Sequence, residues 1–135
     1  MTRNTSSFDL SAFDSSTQRQ DEGIDVEIRH PASGDKVGVT IRVAGPDSAA
    51  AKKADRLMVN RRLKSRRTGT LNAEELHEET LLKLAHCTLD WSGMVDKGKP
   101  LELTIDNAVL VYRRAPWIME QVAEVAGDRS RFFES

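Results

Sequence analysis

Cysteine, aromatic residues and long apolar runs are all scarce in this sequence. A single cysteine, Cys87, excludes an internal disulfide and makes a reducing compartment the default expectation. No apolar run approaches the ~20 residues that a membrane-spanning helix needs, so no membrane partner is expected. The opening Met1–Ser7 lacks an apolar core, so no signal peptide is expected, and Asn4-Thr5-Ser6 reads as a chance glycosylation sequon. Aromatics make up 5% of the chain. Both tryptophans, Tyr112, Phe132 and Phe133 fall between Trp91 and Phe133. Large aromatics bury the most area per residue, so this stretch reads as the C-terminal core and a candidate contact surface.

Neither sign of charge dominates, and the formal net charge is -1. Its distribution is uneven. Lys52, Lys53, Arg56, Arg61, Arg62, Lys64, Arg66 and Arg67 crowd a stretch whose only acid is Asp55, whereas residues 68 to 135 carry seven basic and twelve acidic side chains. Such asymmetry suits a nucleic-acid contact, an electrostatic contact to an acidic protein, or internal pairing.

With 135 residues, a charged content of 30% and a hydrophobic content of 39%, the chain reads as a small α+β protein with one modest core. Residues 1 to 23, rich in Ser, Thr, Asp and Gln, read as a flexible tail whose apolar pair Phe8 and Phe13 would order on a partner or fold back onto a groove of the chain's own core. Residues 24 to 135 then form a single α+β domain. Ile24, Val26 and Ile28, then Val37, Val39, Ile41 and Val43, alternate with polar residues around His30-Pro31-Ala32-Ser33-Gly34-Asp35, which predicts a β-hairpin over 24–43. Its apolar face needs cover, which a bundle of about four helices supplies, at about 47–66, 72–89, 105–114 and 116–126. Asp47 or Ser48 caps the first. Its apolar stripe of Ala50, Ala54, Leu57 and Met58 gives way to charge all round from Arg61, so this helix should end in solvent. Asn72 and Glu75 predict a capping box for the second, and Glu79 and Lys83 have the favoured i,i+4 order. Thr104 or Asp106 caps the third, Pro116 opens the fourth and Gly127 ends it. Trp91 to Pro100 reads as a loop or a small irregular turn.

Sites of chemistry are hard to place. Gly93-Met94-Val95-Asp96-Lys97-Gly98-Lys99-Pro100 falls one residue short of a Walker A loop, with Pro100 where a magnesium-binding hydroxyl would stand and no strand–helix context. His77-Glu78-Glu79-Thr80-Leu81 starts like a zinc-protease helix but lacks the second histidine. His86 and Cys87 are adjacent in a helix and so point ~100° apart, with no further ligand at useful spacing. Cys87 has no nameable base to activate it. No catalytic, metal or cofactor site is therefore expected. The basic stretch lacks aromatics to stack bases, which argues against direct nucleic-acid binding.

The ordered strings say more than the composition. Phe8-Asp9-Leu10-Ser11-Ala12-Phe13-Asp14, His30-Pro31 with Ser33-Gly34-Asp35, Gly45-Pro46-Asp47-Ser48, Trp91 with Gly93, Gly98-Lys99-Pro100-Leu101, Asn107-Ala108, Pro116-Trp117-Ile118 with Gln121-Val122, and Asp128-Arg129 with Phe132-Phe133 follow one another along nearly the whole chain. In this order they resemble the tail assembly chaperones of long-tailed bacteriophages and prophages. Ser33 stands where such chaperones often have threonine. The resemblance implies a non-enzymatic protein of the host cytoplasm that coats the tape-measure protein while tail-tube subunits assemble, and that is absent from the mature virion. Several copies, or a homo-oligomer, would cover a long, partly apolar client. It implies partner-binding roles for Tyr112, Trp117, Phe132 and Phe133 on the C-terminal helices, and for Arg61, Arg62, Arg66 and Arg67 as a charged contact. The plain alternative is that Trp91, Trp117 and Phe132 fill the monomer core. Two other functions compete: a virion structural component such as a tail-completion or connector protein, and a nucleic-acid-binding regulator using the basic helix.

Overall fold

The computed structural model describes residues 7–64 and 71–133. A short 3-10 turn, Leu10–Phe13, leads into α1 (Asp14–Glu22). Strands β1 (Ile24–Arg29) and β2 (Lys36–Val43) follow, then helices α2 (Ala49–Lys64) and α3 (Ala73–Cys87). Strand β3 (Thr88–Ser92) precedes a miniature pair, β4 (Val95–Asp96) and β5 (Lys99–Pro100). Helices α4 (Ile105–Arg114) and α5 (Pro116–Ala126) complete the chain with a second 3-10 turn, Arg129–Phe132. The class is α+β, as the alternation and the helical periods require.

The expected hairpin pairs Ile24 with Val43 and Val26 with Ile41. Its apolar face, Val26, Ile28, Val39, Ile41 and Val43, is buried, and α5 lies against both strands. The opposite face is polar. There Arg42 meets Asp25 at 2.9 Å and Lys36 meets Glu27 at 2.8 Å. A third strand was not expected. Antiparallel β3 makes β2 the central strand of order β1-β2-β3, with Ile41 opposite Trp91. The second helix therefore stops at Cys87 instead of reaching residue 89. Its continuation finds ladder partners on β2, and tertiary pairing overrides a local helical period.

The stretch expected as a loop is also ordered. Beyond β3, Asp96 pairs with Lys99 around Lys97-Gly98, both at positive φ (53° and 79°). That is the signature of a type I′ turn, whose twist suits a tight hairpin. The near-miss phosphate loop is thus a hairpin tip. Trp91 Nε1 donates to the Leu101 carbonyl at 2.9 Å, tying this hairpin back to the sheet.

The flexible-tail expectation needs correction over its described part. Helix α1 is seated by polar groups, which is why its apolar-poor sequence disguised it. Gly45 N–H donates to the Gln20 carbonyl at 3.0 Å, Asp47 N–H donates to Gln20 Oε1 at 2.5 Å, and Ala49 N–H donates to Asp21 Oδ1 at 2.7 Å. Asp21 thus helps cap α2 from another helix, beside the local cap Ser48, whose Oγ accepts from Ala51 N–H at 3.1 Å. Gln20 is wholly buried. A Cβ at Gly45 would fall 2.5 Å from its Cγ, so glycine permits the approach. Asp47 also holds Arg129 at 2.5 and 2.8 Å, joining α1, α2 and the C-terminal turn. This guanidinium, foremost, keeps the Asp47 carboxyl below the usual carboxylate range.

The remaining helix signals hold. Asn72 and Glu75 form the capping box, Glu75 N–H donating to Asn72 Oδ1 at 2.8 Å. Thr104 Oγ1 caps α4, and Pro116 opens α5. The core combines the sheet's apolar face with Leu81, Leu84, Ala108, Tyr112, Ile118 and Val122. In α2 the buried stripe is Ala51, Ala54 and Met58, with Ala50 and Leu57 only half-buried.

Gln121 closes the open edge of β1. Its Oε1 accepts from Arg29 N–H at 2.9 Å and its Nε2 donates to the Arg29 carbonyl at 2.8 Å, so one amide side chain imitates a neighbouring strand. It does so beside the register shift between Glu27 and Arg29. Gln121→Glu should cost about 1–2 kcal/mol in urea unfolding at neutral pH, because the carboxylate keeps the acceptor but turns a second oxygen toward the Arg29 carbonyl. The loss should shrink in acid, where a protonated carboxyl donates again. An unchanged midpoint would remove Gln121 as an edge clamp.

Candidate functional interface

The residues singled out as partner-binding separate into three groups. Tyr112 and Phe132 are fully buried, so neither offers a surface to a client. Tyr112 lies on the inner face of α4, and its hydroxyl meets Thr88 Oγ1 at 2.7 Å. Thr88 Oγ1 donates to the Leu84 carbonyl at 2.8 Å, so Tyr112 is the donor in their shared bond. Burial pushes the Tyr112 phenol up to about 12. Phe132 is covered because its 3-10 turn packs against α1, where Arg19 Nη1 donates to the Phe132 carbonyl at 3.5 Å. Trp117 is half-buried, packed against the core with its ring 6.5 Å from that of His30.

Phe133 and the described basic residues are exposed. Phe133 is 45% exposed and lies 5.7 Å from Phe13, which stacks on Phe8 at 5.1 Å. The two ends of the described chain thus share a small aromatic cluster. Arg61 and Arg62 stand near the end of α2, and Arg66 and Arg67 lie outside the described residues.

A more extended surface lies where α2 packs on α3. The two run antiparallel, laced by Lys83 to Asp55 at 2.8 Å and by Arg62 Nε to Glu79 Oε2 at 3.1 Å. The expected Glu79–Lys83 pair within α3 gives way to these partners across the helices. Away from the sheet the packing thins, and α2 ends toward solvent as expected. Leu63 is 70% exposed, Val59 51% and Leu76 49%. The helical period sets Leu76 on one broad face with Leu81, Leu84 and Cys87. Leu76 instead faces the groove beside Val59 because the buried stripe runs through Leu81, Leu84 and Ala85. Val59 and Leu63 are one turn apart, on the stripe that also carries Lys52 and Arg56. A helical projection of residues 52–63 contained that signal. The rising charge around the helix masked it.

The remaining chemical candidates do not assemble. Among the described residues no group of three or more His, Cys, Asp or Glu side chains is placed to hold a metal ion, and no helix is long and apolar enough to cross a membrane. Cys87 is buried and its thiol is pushed up by desolvation, which opposes thiolate formation. Half-buried His86 is pushed down by desolvation and by nearby Lys53. In comparisons with known proteins, no family model, curated sequence or solved structure matches this chain.

Proposed function

We propose that this protein is a tail assembly chaperone of a long-tailed phage or prophage, binding the tape-measure protein and tail-tube subunits without catalysis. The order of short strings along the chain supports this reading. The observation that carries it is the surface formed by Val59, Leu63 and Leu76, large apolar side chains left about half or more exposed on two helices beside a run of cations. Val59 and Leu76 line one groove and Leu63 stands one turn beyond Val59, and exposed side chains of this kind suit a protein partner. A tape-measure chain, long, helical and partly apolar, would aggregate unless such surfaces covered it. On this reading the α2–α3 pair, not the C-terminal helices, would offer the client surface, since Tyr112 and Phe132 are buried. Tyr112 and Phe132 leave the set, Phe133 stays exposed, and Trp117 keeps only a partly open edge.

Co-expression with tape-measure fragments tests the proposal. The expected result is that fragments insoluble alone become soluble and co-elute with this protein in size-exclusion chromatography. Unchanged solubility with separate elution would reject it. Mass spectrometry of purified particles distinguishes the chaperone, expected to be scarce or missing there, from a structural tail-completion or connector protein.

A further inference from the structure

We propose that the exposed stripe of α2 bordering the α2–α3 groove seats an acidic amphipathic helix of the client, laid along α2. This rests on the chaperone reading and names the chemistry by which its surface would select a segment. The groove measures about 320 Å³, with Met58, Val59 and Leu76 among its lining residues. Val59 belongs both to this groove and to the exposed stripe, against which a third helix can pack its side-chain ridges. The exposed side chains already have helical spacing. Lys52, Arg56, Val59 and Leu63 follow one stripe along α2, with cations toward one end and apolar groups toward the other.

Charge decides the occupant. Asp55, Arg62, Glu79 and Lys83, which also line the groove, pair with one another across the two helices and leave little net charge there. Lys52 and Arg56 are exposed and make no salt bridge among the described residues. A bound helix would therefore set carboxylates against Lys52 and Arg56, and leucine-like side chains against Val59 and Leu63, with Leu76 across the groove from Val59. A basic helix would meet like charge at one end and gain only the apolar contact. Such an arrangement gives selectivity by repulsion as well as attraction.

The test uses two synthetic helical peptides of roughly 20 residues, long enough to hold some helix in water. Both carry leucines at helical spacing toward one end. One carries glutamates toward the other end, and its counterpart carries lysines there. Fluorescence anisotropy with the full chain at low salt should show the glutamate peptide binding about tenfold or more tightly than the lysine peptide. The double variant Val59→Glu/Leu63→Glu alters only exposed side chains and should weaken the glutamate peptide by about tenfold or more. The double variant Lys52→Glu/Arg56→Glu should reverse the preference and restore the lysine peptide, which a merely unfolded variant could not do.

Equal binding of the two peptides, or binding indifferent to these variants, would overturn the proposal. So would a short DNA duplex that binds through Lys52 and Arg56 while neither peptide does. Tape-measure fragments separate this inference from the chaperone reading. If they co-elute with Val59→Glu/Leu63→Glu as well as with the unaltered protein, the chaperone reading stands and the seat is wrong. If the glutamate peptide binds as described but no tape-measure fragment does, the seat stands and the client is another protein.

Discussion

Gly93→Ala is expected to destabilise the fold by about 3–4 kcal/mol, enough to remove much of the stability of a domain of this size. Two effects combine. Gly93 has φ +79°, and a Cβ there would fall 2.0 Å from the Gly38 carbonyl oxygen and 3.1 Å from its carbon. The first places an L side chain in a backbone region that costs about 1–3 kcal/mol. The second forces backbone apart, since neither neighbour is a flexible side-chain end. Gly93 leads from β3 to the small hairpin, so the displacement would travel to the Trp91 indole and its bond to Leu101. Gly98→Ala is the control. It has the same φ of +79° but no atom within 4 Å of the added carbon, so it should cost only about 1–2 kcal/mol. Urea unfolding of both variants tests the steric account. Equal losses would mean that backbone conformation alone sets the requirement for glycine at position 93.

Tyr112→Ala should cost about 3–5 kcal/mol, the range for removing a large buried aromatic. Tyr112→Phe should cost about 1 kcal/mol, because Thr88 Oγ1 keeps its own bond to Leu84 and loses only the donor from Tyr112. The difference between the variants measures the ring against the hydroxyl. The same residue makes stability depend on pH. The folded phenol titrates at about 12 against an ordinary 10.0. Its folded pKa is raised, so its contribution is complete below pH 10 and falls as the pH rises from 10 through 12. The full loss approaches roughly 2–3 kcal/mol. Comparison with Tyr112→Phe isolates this from lysine and cysteine titration. Tyr112 is the only tyrosine in the chain, so phenolate absorbance of the native protein reports it directly. Titration near pH 10 in the folded state would show that the phenol is not desolvated.

Much of the fold was legible because its signals are local. The alternation of Val26, Ile28, Val39 and Ile41 announces a hairpin, and strand sterics explain why. Asn72 with Glu75, and Pro116, mark helix starts through the bonding of a few adjacent backbone groups. Strand β3 and helix α1 escaped for the opposite reason. Thr88 to Ser92 becomes a strand because β2 lies alongside it, and no neighbouring residue encodes that. Helix α1 is held by Gln20 and Asp21, whose partners are 25 to 28 positions away. Polar docking of that kind looks, in sequence, like a solvated tail.

The candidate interface divides along the same line. Composition placed the cations in residues 52–67 and the aromatics in the last third, and the order of short strings supplied the chaperone resemblance. None of these could say which side chains reach solvent. Tyr112 and Phe132 turn inward because their own elements pack on α3 and α1, while Leu63 and Val59 are exposed on α2, whose principal neighbour is α3 alone. Burial follows from the summed approach of distant elements, so helical spacing defines a face without deciding what covers it. By itself the sequence determined the α+β class, the hairpin, the capped helices and the position of the charge. The third strand, the seat of α1 and the exposed groove along α2 were decided only when the folded chain brought those pieces together.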